Sequence, residues 1–110
     1  LTRRTIEFEA GNAQLTPRGV AVLEELLPLL QKMPGRRFEV IGHTDDVGAR
    51  DANVALSEAR ARAVKDYLVG KGLSAADIVT SGAGPDRPVA DNLSPQGRAR
   101  NRRIEFRVLA

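Results

Sequence analysis

A helix over Asp51 to Lys71, closed by Gly72 in the left-handed conformation that helix C-termini favour, must lie against the rest of the chain along one stripe. At 100° per residue, Leu56, Ala63, Val64 and Tyr67 fall within about a third of the helix circumference, and two polar residues, Asn53 and Arg60, fall inside the same arc. That arc is expected to face the core. Glu58, Arg62, Lys65 and Asp66 point elsewhere, so Arg60 is not one more solvated cation. An arginine cannot shed its charge, and leaving it unpartnered beside apolar surface costs on the order of 3–5 kcal/mol. An acidic partner is therefore expected to meet it.

The partner that the sequence offers lies just upstream, in Gly42-His43-Thr44-Asp45-Asp46-Val47-Gly48. The apolar run Phe38 to Ile41 ends in this polar turn, which places Asp45 at the carboxyl end of a strand feeding the Asn53/Arg60 helix. Two readings follow. If Asp45 and Arg60 neutralise each other they are a structural salt bridge. If they stand apart with free valence, they form a receptor for a ligand bearing both an ammonium and a carboxylate, because arginine presents a planar fork and aspartate accepts from an ammonium. The guest would be an amino-acid zwitterion.

Glycine and proline punctuate alternating strand-like and helix-like segments in the order β-α-β-α-β-α-β. Thr5 to Phe8 is expected as a first strand. Thr16-Pro17 then supplies an N-cap and a first-turn proline to a helix over 17–32, whose Val20, Leu23, Leu26, Leu27 and Leu30 recur at helical spacing, with Pro28 as a bend. Arg37 to Thr44 is the central strand, apolar on both faces as if helices cover part of both sides. Ile78 to Ser81 is a third strand running into Gly82-Ala83-Gly84-Pro85. Ser94-Pro95 opens a short arginine-bearing helix, and Ile104, Phe106 and Val108 alternate along a closing strand. The expected fold is an α/β sandwich: a four-stranded mixed sheet packed on two main helices, with residues 1–110 as one domain.

The chain is 42% hydrophobic and has no apolar run of about 18 residues to span a bilayer. It begins with Leu1, which suggests a piece of a larger precursor with any membrane anchor outside it. Cysteine is absent, so thiolate zinc sites, disulfides and thiol nucleophiles are excluded from this piece. The net charge of +3 owes much to Arg98, Arg100, Arg102, Arg103 and Arg107, a balance that favours acidic polymers without choosing among them.

Taken together, Gly42-His43-Thr44-Asp45, Gly48, Asn53, Leu56-Ser57, Arg60-Ala61, Val64, Tyr67-Leu68, Gly72, Gly82-Ala83-Gly84, Pro88, Asn92, Gly97-Arg98-Ala99 and Asn101-Arg102-Arg103 resemble the OmpA-like C-terminal domain. This is the peptidoglycan-binding module of outer-membrane proteins, peptidoglycan-associated lipoproteins and flagellar stator proteins, and the match runs from about Phe8 to Val108. The resemblance implies a domain that holds the meso-diaminopimelate of the stem peptide. Asp45 falls on the family position that takes the ammonium, and Arg60 on the position that takes the carboxylate. Asn53 would contact the ligand or brace Arg60, Leu56 would wall the pocket, and Arg102 would add a second cationic contact. Thr44, Val47 and Gly48 would complete the rim. Asp46 departs from a common asparagine, and Val54 stands where stator proteins often carry tryptophan. The implied role is a non-catalytic tether, without cofactor, that holds an outer-membrane or envelope protein to the wall in a Gram-negative periplasm.

Other chemistries have weaker footing. His43 before a turn reads as structural, and neither zinc-ligand spacing nor an EF-hand ladder surrounds Asp45-Asp46. Ser57 lacks an evident base, and Gly82-Ala83-Gly84 lacks the rest of a phosphate loop. The rival reading is nucleic-acid binding by the arginine cluster, with Asn101 reading a base edge. Against it stand 4% aromatic content and 14 acidic residues nearly balancing 17 basic ones.

Overall fold

A computed structural model describes residues 6–33 and 35–109. Its elements are α1 (Pro17–Gln31), β1 (Arg37–His43), α2 (Arg50–Gly70), a 3-10 turn (Ala75–Asp77), β2 (Ile78–Gly84), α3 (Pro95–Asn101) and β3 (Arg103–Leu109). Thr16 caps α1 by accepting from the Gly19 amide at 3.1 Å, with Pro17 in the first turn, and the helix continues past Pro28. Ser94 caps α3 in the same way, accepting from the Gly97 amide at 3.0 Å.

The sheet has three strands in the order β2-β1-β3, with β1 parallel to β2 and antiparallel to β3. The expected first strand does not form among the described residues. Phe8 makes one isolated antiparallel bridge to Leu15, and Thr5 lies outside the described residues. Alternating Ile6 and Phe8 correctly marked apolar contact, since Ile6 is 5% exposed, but a period of two states which side chains are covered and not which backbone they pair with.

One face of the sheet carries the core. Phe38, Val40 and Ile78 pack with Val22, Leu23, Leu26 and Leu30 of α1 and with Ala61, Val64 and Leu68 of α2. Phe106 and Ile104 of β3 border this cluster, as their pairing with Val40 and Gly42 requires. Among the described residues no second helical layer of this kind covers the opposite face. That face holds polar pairs: across strands Arg107 donates to Glu39 at 2.7 Å and Ser81 donates to Glu39 at 2.8 Å, and within β3 Arg103 donates to Glu105 at 3.0 Å.

The helix α2 sits close to the sheet because β1 and β2 present glycines to it. A Cβ on Gly42 would collide with the Ser57 carbonyl, and one on Gly82 would stand 2.6 Å from the Glu58 amide. Ser57 itself, fully buried, accepts from the Gly84 amide at 3.0 Å and fixes the end of β2 against the helix. This close approach rotates the buried stripe of α2 onto Ser57, Ala61, Val64 and Leu68. Asn53 and Arg60 therefore lie at its flank, half-buried, and not in the middle of the core-facing arc as the wheel of larger apolar residues suggested.

Candidate ligand-binding site

The carboxyl end of β1 passes directly into a tight polar turn. Asp45 is 8% exposed, and its Oδ1 accepts from the Val47 amide at 3.0 Å, a side-chain turn that fixes the carboxylate against its own backbone. Thr44, also buried, is tied to its own backbone surroundings: its amide donates to the Gly84 carbonyl at 2.9 Å and its hydroxyl to the Asp45 carbonyl at 2.7 Å. Gly48, at φ 92°, lets the chain reverse into α2. Asn53 Nδ2 then ties helix to turn by donating to the Val47 carbonyl at 2.8 Å.

Arg60 does not meet an acidic partner. Its Nε donates to the Asn12 carbonyl at 2.9 Å and an Nη2 hydrogen to the Glu9 carbonyl at 3.3 Å, while the guanidinium lies 5.1 Å from the Phe8 ring centroid. Desolvation and the nearby charge of Arg102 pull its pKa below the ordinary arginine value, opposed by Asp45, although an arginine stays protonated throughout. The salt bridge of Asp45 is made instead by Arg102, whose Nη1 stands 2.6 Å from Oδ2. Of the two arrangements the sequence left open, Asp45 and Arg60 stand apart, and the ion pair runs from Asp45 to Arg102.

Arg60 and Arg102 face one cleft of about 540 Å³. One wall is the chain from Ile6 to Gly11, and the other is built from Ala99, Arg102, Arg103 and Ile104 beside His43. Three guanidinium groups against the single carboxylate of Glu7 make this cleft a place for anionic ligand groups. Asp45 adjoins it through Arg102. Asn53, Thr44, Leu56, Val47 and Gly48 do not line it: Leu56 is half-buried on α2, Val47 is 62% exposed on the turn, and the others shape the turn backbone.

Two supports of the cleft stand out, the first unread in the sequence and the second read there as structural. The first is the turn at 9–12, whose carbonyls orient Arg60; the only signal was Gly11, which adopts φ 73°. The second is His43, 2% exposed, whose Nε2 lies 2.9 Å from Glu105 Oε1. Burial first, then Arg103, lower the pKa of His43, so the neutral ring donates from Nε2, and Glu105 in turn is bound by Arg103. Among the described residues no group of three or more His, Cys, Asp or Glu could hold a metal ion.

The arginine cluster is largely committed within the fold. Arg98 donates to the Asn92 carbonyl, Arg102 to Asp45, Arg103 to Glu105 and the Arg87 carbonyl, and Arg107 to Glu39. Asn101 is fully buried; it accepts from the Val89 and Ala90 amides and donates to the Ala90 carbonyl and Asn92 Oδ1. It braces the loop before α3 and has nothing left to read a base edge.

Comparison with known proteins agrees with this architecture. The peptidoglycan-binding protein ArfA of Mycobacterium tuberculosis is 38% identical over 108 residues, covering 98% of this chain and 33% of that protein. The peptidoglycan-associated lipoprotein of Pseudomonas aeruginosa is 40% identical over 103 residues, covering 94% of this chain and 61% of that protein. The chain thus spans from about one third to three fifths of the curated relatives it matches. Among solved structures, the cell wall anchor of the type VI secretion system of Pseudomonas aeruginosa superposes with a TM-score of 0.82 at 33% identity, covering 94% of this chain and 74% of that one. The peptidoglycan-associated lipoprotein of Burkholderia pseudomallei does so with a TM-score of 0.81 at 27% identity, covering 96% and 87%. The model of the OmpA family matches residues 7–102, and with the fold, the Asp45 turn and the Arg60 helix in place, this chain belongs to the OmpA family.

Proposed function

We propose that this domain binds peptidoglycan without catalysis by gripping the meso-diaminopimelate of the stem peptide, and so tethers an envelope protein to the wall from the periplasmic side. The observation that carries the reading is Arg60: a half-buried guanidinium whose hydrogen bonds go to two neutral carbonyls, facing a cleft with an aspartate one arginine away. With Nε and one Nη2 hydrogen engaged, three N–H groups remain, enough for a bidentate carboxylate. Asp45 would take the ligand's ammonium and Arg102 would add a second contact to its carboxylate. Asn53, Thr44, Val47 and Gly48 would act by fixing the turn that presents Asp45, and Leu56 by packing on the helix behind it.

The names of the relatives that bind or associate with peptidoglycan support the polymer, and the paired opposite charges support the zwitterion within it. A side chain with so few atoms supplies affinity on the order of micromolar to millimolar. Repetition along the wall would then hold a membrane-confined parent by effective concentration. Among the described residues no helix is long and apolar enough to cross a membrane.

The test is a calorimetric titration of the domain with a stem tripeptide ending in meso-diaminopimelate and with the same peptide ending in lysine. Tighter binding of the diaminopimelate peptide is expected, because lysine carries the ammonium but lacks the side-chain carboxylate. Equal or reversed affinities would contradict the assignment of Arg60.

A further inference from the structure

The binding mode proposed above requires Asp45 to accept an ammonium, and in the free protein that carboxylate is already taken. Oδ1 is held by the Val47 amide at 3.0 Å and Oδ2 by Arg102 at 2.6 Å. The two partners differ in exposure: the Asp45 side chain is 12% exposed, whereas that of Arg102 is 45% exposed. Arg102 lines the cleft and Asp45 does not, so a ligand entering the cleft meets the guanidinium before the carboxylate. Among the described residues the Arg102 side chain has no hydrogen-bond partner other than Asp45, and its backbone is secured separately by the amide bond to the Arg98 carbonyl at the end of α3.

Resting on that reading, we infer that Arg102 is an exchangeable latch: it occupies Asp45 as an internal stand-in for the ligand's ammonium, and releases it when a ligand brings an ammonium and a carboxylate together. A released guanidinium next to Arg60 is a second cation in one cleft, and the ligand's carboxylate compensates both. An ammonium alone opens the latch and leaves Arg102 without an anion. A carboxylate alone leaves the latch closed. The device therefore selects for the zwitterion by penalising the lone ammonium and by giving the lone carboxylate only the Arg60 half of the site, which is specificity achieved against the wrong ligand as well as for the right one. A partly exposed pair of this kind keeps the latch closed in most molecules and lowers apparent affinity for a lone ammonium about three- to tenfold.

The experiment compares the parent domain, Arg102→Gln and Arg100→Gln, titrated with the same two tripeptides, ending in meso-diaminopimelate or in lysine. Arg100 is exposed on α3 and controls for the change in net charge. The expected result is that Arg102→Gln binds the lysine peptide about three- to tenfold tighter than the parent and gains nothing for the diaminopimelate peptide, while Arg100→Gln leaves the ratio of the two affinities unchanged. If Arg102→Gln is not folded by circular dichroism, Arg102→Lys, which keeps a cation with a weaker hold, is expected to show a smaller gain of the same sign. Binding of the diaminopimelate peptide by the parent without any gain for lysine in the variant overturns the latch alone. Failure of the parent to bind the diaminopimelate peptide overturns the proposed function and the latch with it.

Discussion

Replacing Arg60 by lysine keeps the charge and removes the fork. In the free protein the guanidinium spends Nε on Asn12 and one Nη2 hydrogen on Glu9, leaving three N–H groups for a ligand. A lysine ammonium has three donors in all, so holding the 9–12 turn leaves it one. The bidentate contact to a carboxylate falls to a single bond, a loss of about 1.5–3 kcal/mol, or roughly ten- to a hundredfold in affinity. Stability should change little, by about 1 kcal/mol or less, since the two bonds to the exposed turn are kept and what the fold loses is the guanidinium stacking on Phe8. Calorimetric titration with the diaminopimelate tripeptide, paired with urea denaturation of the same samples, separates the two effects. Arg62→Lys is the control, because Arg62 pairs with Glu58 on the exposed face of α2. Binding by Arg60→Lys within twofold of the parent would refute the argument from donor count.

Further outcomes follow from the same structure. Asn101→Ala should destabilise the fold by about 2–4 kcal/mol, because it strips partners from two amides and a carbonyl of the buried loop anchor; urea denaturation measures this, and a loss under 1 kcal/mol would contradict it. Gly42→Ala should cost several kcal/mol or abolish folding because α2 must move off the sheet, whereas Gly70→Ala, with open space around it in the last turn of α2, should stabilise by about 0.5–1 kcal/mol in thermal melts. Acidification should destabilise the domain from about pH 6.5 downward: burial and Arg103 hold the His43 pKa below its unfolded value of 6.5, so in that window the unfolded chain binds the proton that the folded one excludes. Glu105 extends the effect at lower pH. Desolvation pushes its carboxyl up, but Arg103 and His43 together hold it below 4.5, and that stabilisation is lost as pH falls through its folded value. Melting temperatures between pH 7.5 and 5.5 should fall in the parent and fall less in His43→Gln; equal slopes would contradict the role of His43.

What the sequence made legible, and what it hid, divides along physical lines. The helices α1, α2 and α3 were readable because Thr16-Pro17, Ser94-Pro95 and Gly72 mark their ends and apolar residues mark their faces. The phase of α2 was misjudged because hydrophobicity weights large side chains, while the true centre of the stripe is Ser57 and Ala61, chosen for smallness where Gly42 and Gly82 bring two backbones together. The first strand was overcalled for a related reason: Ile6 is covered by packing, with a single bridge at Phe8 in place of a ladder. Asp45 and Arg60 were found as a pair of chemistries, but the contact from Asp45 to Arg102 spans 57 residues and depends on where α3 docks. Carbonyl partners such as those at Glu9 and Asn12 leave no residue-type signature at all, so the hydrogen bonding of Arg60 to backbone could not be read.

In the proposed function the opposed charges of Asp45 and Arg60 hold this domain on the wall. Co-sedimentation with purified diaminopimelate-type sacculi, for the parent domain and for Asp45→Ala and Arg60→Ala variants shown to be folded by circular dichroism, tests it most directly. The parent is expected to be retained and both variants to stay in the supernatant. Retention of either folded variant at the level of the parent, or no retention of the parent, would contradict it.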